Sequence, residues 1–503
     1  MSSISSPEIF QTKANASSLP ISKRVGLKRA TTPVAIVTIL VISSVWLAFG
    51  HLEYSQHADS LVLTLASLQH WTPYFWYQDR YGMLIPLLTI PVHNPLTNMM
   101  LQSALGILAA FAAGFLLVSY FFQDSRVWWV AAALQNVWLI LLASKDGQFN
   151  WLVDLPYAPS FALGFASLIL SRKGRTVAAL ILMLLSHWVN IGAYLVLLPI
   201  VVFRYLITRE RRELIKDLAL VALGTLVGTL GKSFADAPRT PTSLDPVALW
   251  PSAWLQLFQH VRESGMDRPH IYLLWMIVPA MVGTIVVFLL RQRKYPLLVA
   301  ASLVIVGVLN WLFVGTLFWV RANLYHQRYV FSSLFLFAMA LAVLTVAPFQ
   351  NAPEQGRRWA AIAAALAILV SGAVVYGKPS RSQVQRDMDQ RYGTHTADIL
   401  ASQATLVAGY YWTVWPAVFD ANLALYRRGE HRTIYGLSFR DNPTLRDWAL
   451  ERSVCAAAPV GDPARTQFGS FGSEAEEWMN KSPRHFKFVR RINTIDLYCE
   501  PQD

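Results

Sequence analysis

From Thr32 to Tyr376 the sequence is a succession of long apolar runs separated by short polar loops. Such a chain has few choices. A bilayer core of about 30 Å takes about 20 apolar residues per helical crossing, and backbone polar groups there must be satisfied within the helix. The runs begin at Thr32, Leu96, Val127, Tyr157, Thr176, Leu218, Ile271, Pro296, Tyr329 and Trp359. Lys and Arg collect in the loops at 23–29, 172–175, 209–216 and 291–294. Cytoplasmic loops of membrane proteins carry this excess. The net charge of +13 therefore needs no nucleic acid, and the 15% of charged residues is low enough to point to the membrane class.

The run Thr176–Thr208 is too long for one crossing, yet basic clusters flank both of its ends. It meets the charge rule only by crossing twice, with the break at SHWVN (186–190) and the turn near the outer surface. Irregular backbone at that depth must be buried in protein or line a wet cavity. Counting it as two gives about eleven spans. The expected organisation is a cytoplasmic tail at 1–31 and a transmembrane domain at 32–377. Its outer loops are 51–95, 144–156, 235–270 and 320–328, and 378–503 lies outside. Thr32–Gly50 reads as an uncleaved anchor, because the polar region before it is long. The location expected is a bacterial-type inner (plasma) membrane, multi-pass, with the N-terminus in the cytoplasm.

The 378–503 tail is polar and has strand-like pieces such as HFKFVRRINTIDLYC, which suggests a small soluble α+β domain. Both cysteines, Cys455 and Cys499, fall within it. An outer compartment is oxidising, so they can pair, or they can stand as two free thiols.

The stretch Phe49–Pro95 holds most of the polar chemistry. It contains Asp59 and Asp79, and the aromatics Trp71, Tyr74, Trp76 and Tyr81 beside Arg80. Asp59–Leu68 has a helical period, with Leu61, Leu65 and Leu68 on one face, and is expected to lie along the membrane surface. Asp59 is placed either as a general base or as the N-cap of that helix. Asp79 is a second acid or the partner of Arg80. Later in the chain, Arg321, His326 and Arg328 crowd one short turn, and Lys232 ends a span. They either hold a phosphate or snorkel to the headgroups. Asp146 and Asp154, in the second outer loop, could share a divalent cation, magnesium or manganese, with Asp59. Trp71, Tyr74, Trp76, Arg80, Tyr81 and His187 are candidate substrate contacts, whereas GYYWTVWP (409–416) reads as domain core.

Several of these pieces together resemble the GT-C superfamily of membrane glycosyltransferases, which use polyprenyl-phosphate sugar donors. They are HADS (57–60), HWTPYFWYQDRYGMLIP (70–86), the split hairpin at SHWVN and HQRYVF (326–331) opening a late span. Many members carry an Asp-Glu or Asp-x-Asp pair in the first loop, whereas here Ser60 follows Asp59. The resemblance implies a mainly α polytopic bundle, and transfer of a sugar from a polyprenyl-phosphate donor to a glycan or lipid acceptor at the outer face of the lipid bilayer. In that setting Asp59 and Asp79 are the catalytic acids, and Arg321, His326, Arg328 and Lys232 bind the donor phosphate. The alternatives are a transporter or flippase, or an O-antigen-type polymerase, for lipid-linked saccharides. A transporter should show two related halves.

Overall fold

A computed structural model describes residues 22–54, 56, 58–76, 79, 81–122, 127–142, 156–235, 243–266, 294–325, 327–378, 380–438, 443–460 and 486–501. The chain is mainly helical. The helices up to residue 376 are α1 (Ser22–Tyr54), α2 (Ala58–Leu68), α3 (Leu84–Thr89), α4 (Pro95–Phe121), α5 (Val127–Leu142), α6 (Tyr157–Arg172), α7 (Thr176–Val189), α8 (Tyr194–Thr208), α9 (Arg211–Lys232), α10 (Trp250–Met266), α11 (Tyr295–Gly315), α12 (Phe318–Ala322), α13 (Phe331–Val346) and α14 (Glu354–Tyr376). Among the described residues seven helical stretches are long and apolar enough to cross a membrane. α5 and α7 are apolar but shorter. The expected run Ile271–Leu290 lies outside the described residues.

The break in Thr176–Thr208 falls at Asn190. This residue leaves the helix in an extended conformation, and its side chain caps the Gly192 amide at 2.9 Å. A short polar side chain that bonds nearby backbone competes with the helical ladder. One turn of 3₁₀ helix follows before α8 starts.

The directions of the helices follow from their contacts. At the basic end, α4, α6, α8, α9 and α11 meet. The Arg172 guanidinium donates to Asp217 at 2.9 Å, Tyr120 Oη donates to the same carboxylate at 2.8 Å, and Arg204 binds Glu210 at 2.9 Å. Both arginines lie over the Tyr120 ring. Tyr295 Oη, at the start of α11, donates to the Phe121 carbonyl at 2.6 Å. Arg172, Asp217 and Arg204 are nearly buried, and each is paired because an unpaired ion there is costly. Lys232, the start of α4 and the end of α11 consequently lie at the opposite end of the bundle.

The C-terminal unit docks on that opposite end. It comprises α15 (Arg381–Ser402), β1 (Leu406–Gly409), α16 (Tyr411–Arg427), β2 (Tyr435–Ser438), α17 (Pro443–Glu451), β3 (Cys455–Pro459), β4 (Lys487–Ile492) and β5 (Ile495–Cys499). The sheet order is β2-β1-β3-β5-β4. The first three strands are parallel and joined by helices, and β5 runs antiparallel to both β3 and β4. The α+β expectation therefore gains a doubly wound half. α15 and α16 cover one face of the sheet, with Val407 and Leu497, while α17 covers the other, with Leu406 and Ala408. The segment HFKFVRRINTIDLYC forms the β4–β5 hairpin. Cys455 and Cys499 face each other across β3 and β5 and are joined by a disulfide.

Candidate functional site

α2 does not lie open on a surface. Leu61, Val62, Leu65 and Ala66 are fully buried, because α4 packs on one side and α16 of the C-terminal unit on the other. A polar network fixes it to α3 and α4. Gln102 Nε2 donates to Asn98 Oδ1 (2.7 Å), Thr89 Oγ1 (3.0 Å) and Ser67 Oγ (3.2 Å), and Asn98 Nδ2 donates to the Thr89 and Val92 carbonyls, each at 2.9 Å. Buried amides persist in apolar surroundings only when satisfied in this way.

Asp59 stands in the first turn of α2, one residue past its start, where the helix dipole favours an anion. It is half-buried, and Tyr411 Oη donates to its Oδ1 at 2.5 Å. Tyr411 is buried and opens α16, so the C-terminal unit places a donor directly on this carboxylate. Sequence reasoning missed the partner, although the stretch GYYWTVWP was its signal. Trp415, one turn further along α16, packs against Trp76 with ring centroids 5.6 Å apart. At the other end of α2, His70 stacks on Trp448 at 4.8 Å, and Gln69 Nε2 donates to the Ile434 carbonyl at 2.9 Å.

The loop after α2 meets the break after α7, joining two features that the sequence singled out separately. Gly82 N donates to the Val189 carbonyl, Tyr81 pairs with Asn190, and Trp188 Nε1 donates to the Pro73 carbonyl at 3.1 Å. A Cβ on Gly82 would come within 2.5 Å of the Trp188 carbonyl oxygen, so glycine is what permits the approach. The irregular backbone at the break is thus buried in protein, one of the two conditions for it at membrane depth.

This packing sets most of the aromatics expected at a substrate surface inside a seam. Trp76, Tyr81 and Tyr74 are buried and act as filling between the bundle and its cap, while Trp71 is half-buried and donates from Nε1 to the Met83 carbonyl. His187 is buried between α7 and α9, where Gly224 and Gly228 leave room for its ring, and its Nδ1 lies 3.0 Å from the Met183 carbonyl. It does not face the loop.

Asp79 is buried, and its Oδ2 lies 3.4 Å from Lys232 Nζ at the end of α9. An acid in the first loop therefore pairs with a cation from another helix. Tyr74, beside them, has its hydroxyl pushed above its ordinary value, first by burial and then by the Asp79 charge. Arg321 is committed as well. Its guanidinium forks onto the buried Asp245 carboxylate, with Nε at 2.9 and 3.0 Å and Nη2 at 2.9 Å, which ties the loop before α10 to the turn after α11. The sequence flagged that loop only as polar. Arg328 donates from Nη2 to Asn323 Oδ1 and Tyr329 Oη, each at 3.1 Å, and lies over the Tyr329 ring. Helix direction sets Arg321, Arg328 and Lys232 at the same end as Asp59.

Arg80, His326, Asp146 and Asp154 lie outside the described residues, as does His57 of the HADS motif. Among the described residues no group of three or more His, Cys, Asp or Glu could hold a metal ion. Of the two loop carboxylates, Asp59 takes a tyrosine hydroxyl and Asp79 an ammonium.

No family model matches the sequence, and no curated protein does. Among solved structures, the crystal structure of ArnT from Cupriavidus metallidurans in the apo state is similar, with 11% identity over 94% of this chain and 98% of that chain and a TM-score of 0.43.

Proposed function

We propose that this chain is a GT-C-like membrane glycosyltransferase that moves a sugar from a polyprenyl-phosphate carrier to a glycan or lipid acceptor at the outer face of the membrane. The observation that carries the reading is the Asp59–Tyr411 contact. It puts a half-buried carboxylate at the seam between a membrane bundle and an α/β unit. A donor with a lipid tail reaches such a seam from the bilayer, and an acceptor hydroxyl reaches it from water.

In this account Asp59 takes the proton of the acceptor hydroxyl. The acceptor oxygen bonds to the anomeric carbon as the bond from that carbon to the phosphate oxygen breaks, and the electron pair leaves with the polyprenyl phosphate. A positioned base is worth about 10²–10⁴ in rate. Tyr411 Oη holds the carboxylate in place. Arg328 and Lys232 are the cations for the departing phosphate, and fixed cations aimed at developing charge need no reorganisation during the reaction. Asp79 keeps Lys232 oriented until the phosphate arrives, and the Arg321–Asp245 fork holds the turn that carries Arg328. The disulfide and the basic loops at the opposite end of the bundle support an outward-facing C-terminal unit.

The test is turnover. Purified protein in nanodiscs is incubated with a panel of polyprenyl-phosphate sugars, and release of polyprenyl phosphate is followed by mass spectrometry. Release from at least one sugar is expected. Donor left intact across the panel, with transport of the lipid between leaflets instead, would overturn the reading.

A further inference from the structure

We infer that Tyr74 is a further catalytic residue, its hydroxyl donating a hydrogen bond to the departing phosphate beside Lys232. The catalytic role rests on the transferase reading, and the phosphate contact does not. One close approach sets the placement. Gly231 precedes Lys232 at the end of α9, and a Cβ on it would stand 2.5 Å from Tyr74 Oη. Glycine is thus what lets the hydroxyl reach the backbone of α9. The next residue along is Lys232, whose Nζ lies 3.4 Å from Asp79 Oδ2.

The hydroxyl is also held from its own side. Residues 73–83 fold back on themselves. Met83 N donates to the Pro73 carbonyl at 3.1 Å, Phe75 N donates to the Tyr81 carbonyl at 2.8 Å, and Tyr74 pairs with Gly82 between them. Thr72 Oγ1 donates to the Tyr74 carbonyl at 2.5 Å, and Trp188 Nε1 reaches the Pro73 carbonyl from α7. A donor fixed in this way needs no reorganisation when charge develops on a phosphate oxygen. Burial first, and the Asp79 charge second, hold the phenol above its ordinary value, so at neutral pH it keeps a proton to donate. The Lys232 side chain stays 17% exposed, which leaves the ammonium within reach of a phosphate. The neutral hydroxyl adds a donor there without adding a second charge to be offset.

The experiment is native mass spectrometry of the full chain in detergent, titrated with a polyprenyl phosphate and, separately, with the matching polyprenol. The wild type should prefer the phosphate. Tyr74→Phe keeps the ring and removes one oxygen, and Gly231→Ala displaces the hydroxyl without changing Tyr74. Each should weaken the phosphate by roughly tenfold or more, the worth of a hydrogen bond to a charged group, and leave the polyprenol unchanged. With a donor that the wild type consumes, Tyr74→Phe should lower kcat/KM by roughly a hundredfold. Wild-type affinity for the phosphate in Tyr74→Phe, an equal loss for the polyprenol, or a wild type that does not prefer the phosphate overturns the inference. Weakened phosphate binding in Tyr74→Phe, in a protein that turns over no donor, upholds the contact and overturns the transferase reading alone.

Discussion

The charge cluster at the basic end makes a quantitative test of how the bundle is held. The Asp217 side chain is 1% exposed and that of Arg172 is 10% exposed. Arg172→Met leaves the carboxylate buried with Tyr120 Oη as its remaining named donor, and breaking a buried pair in this way costs about 3–5 kcal/mol. Asp217→Asn keeps an acceptor for Tyr120 and leaves the guanidinium stacked on the Tyr120 ring, 4.2 Å from its centroid. It should cost about 1.5–3 kcal/mol, the worth of a hydrogen bond to a charged group. The double variant removes both charges together, so its loss should fall short of the sum of the singles, with a coupling of roughly 2 kcal/mol. The assay is the fraction of folded protein remaining after heating in detergent, read by size-exclusion chromatography for all four members of the cycle. Losses that add to within about 0.5 kcal/mol would mean that the two groups are not coupled and would refute the clamp.

Three further outcomes are expected. Arg328→Lys should lower turnover although it keeps the charge, because Lys lacks the planar fork, whereas Lys232→Arg should be tolerated; equal donor consumption by Arg328→Lys and wild type in membranes would favour snorkelling. Reporter fusions at Asp236 and after Lys378 should both score as external, and a cytoplasmic score after Lys378 would invert the orientation. Burial alone would raise the Asp398 carboxyl, but hydrogen bonds from Thr494 and Asn493 outweigh it and hold the group below its ordinary value. Its stabilisation is thus complete above an ordinary value of about 3.9 and is lost as pH falls through the folded value. Hydrogen exchange at the β4–β5 turn should accelerate on acidification, and Asp398→Asn should be fast already at neutral pH.

The bundle was legible because membrane spans are long, apolar and flanked by charge. The Asn190 break followed from basic residues on both sides of an overlong run. α2 was legible as a helix from Leu61, Leu65 and Leu68, yet its setting was not. Periodicity says which face is apolar, but nothing in residues 58–68 announces that α16, some 350 positions later, covers the remainder. The pairings of Tyr411 with Asp59, Lys232 with Asp79 and Asp245 with Arg321 were hidden for the same reason. Each is the partner of a residue far away in the sequence, and one sequence gives residue types without pairings. The burial of Tyr74, Trp76 and Tyr81 was not legible, because the same rings serve a sugar surface and a buried seam. The sheet of the C-terminal unit was underread because short strands such as Leu406–Gly409 carry too few residues to reveal direction.

The most direct measurement is sugar transfer by Asp59→Asn in nanodiscs, against wild type at matched abundance. The side-chain amide oxygen of this variant can still accept from Tyr411 Oη, so the docking of α16 on α2 should survive and thermal stability should hardly change. Transfer should fall by roughly a hundredfold or more, the worth of a positioned base. Near-wild-type transfer by Asp59→Asn would remove Asp59 from the chemistry and leave it a structural link between the bundle and its C-terminal unit.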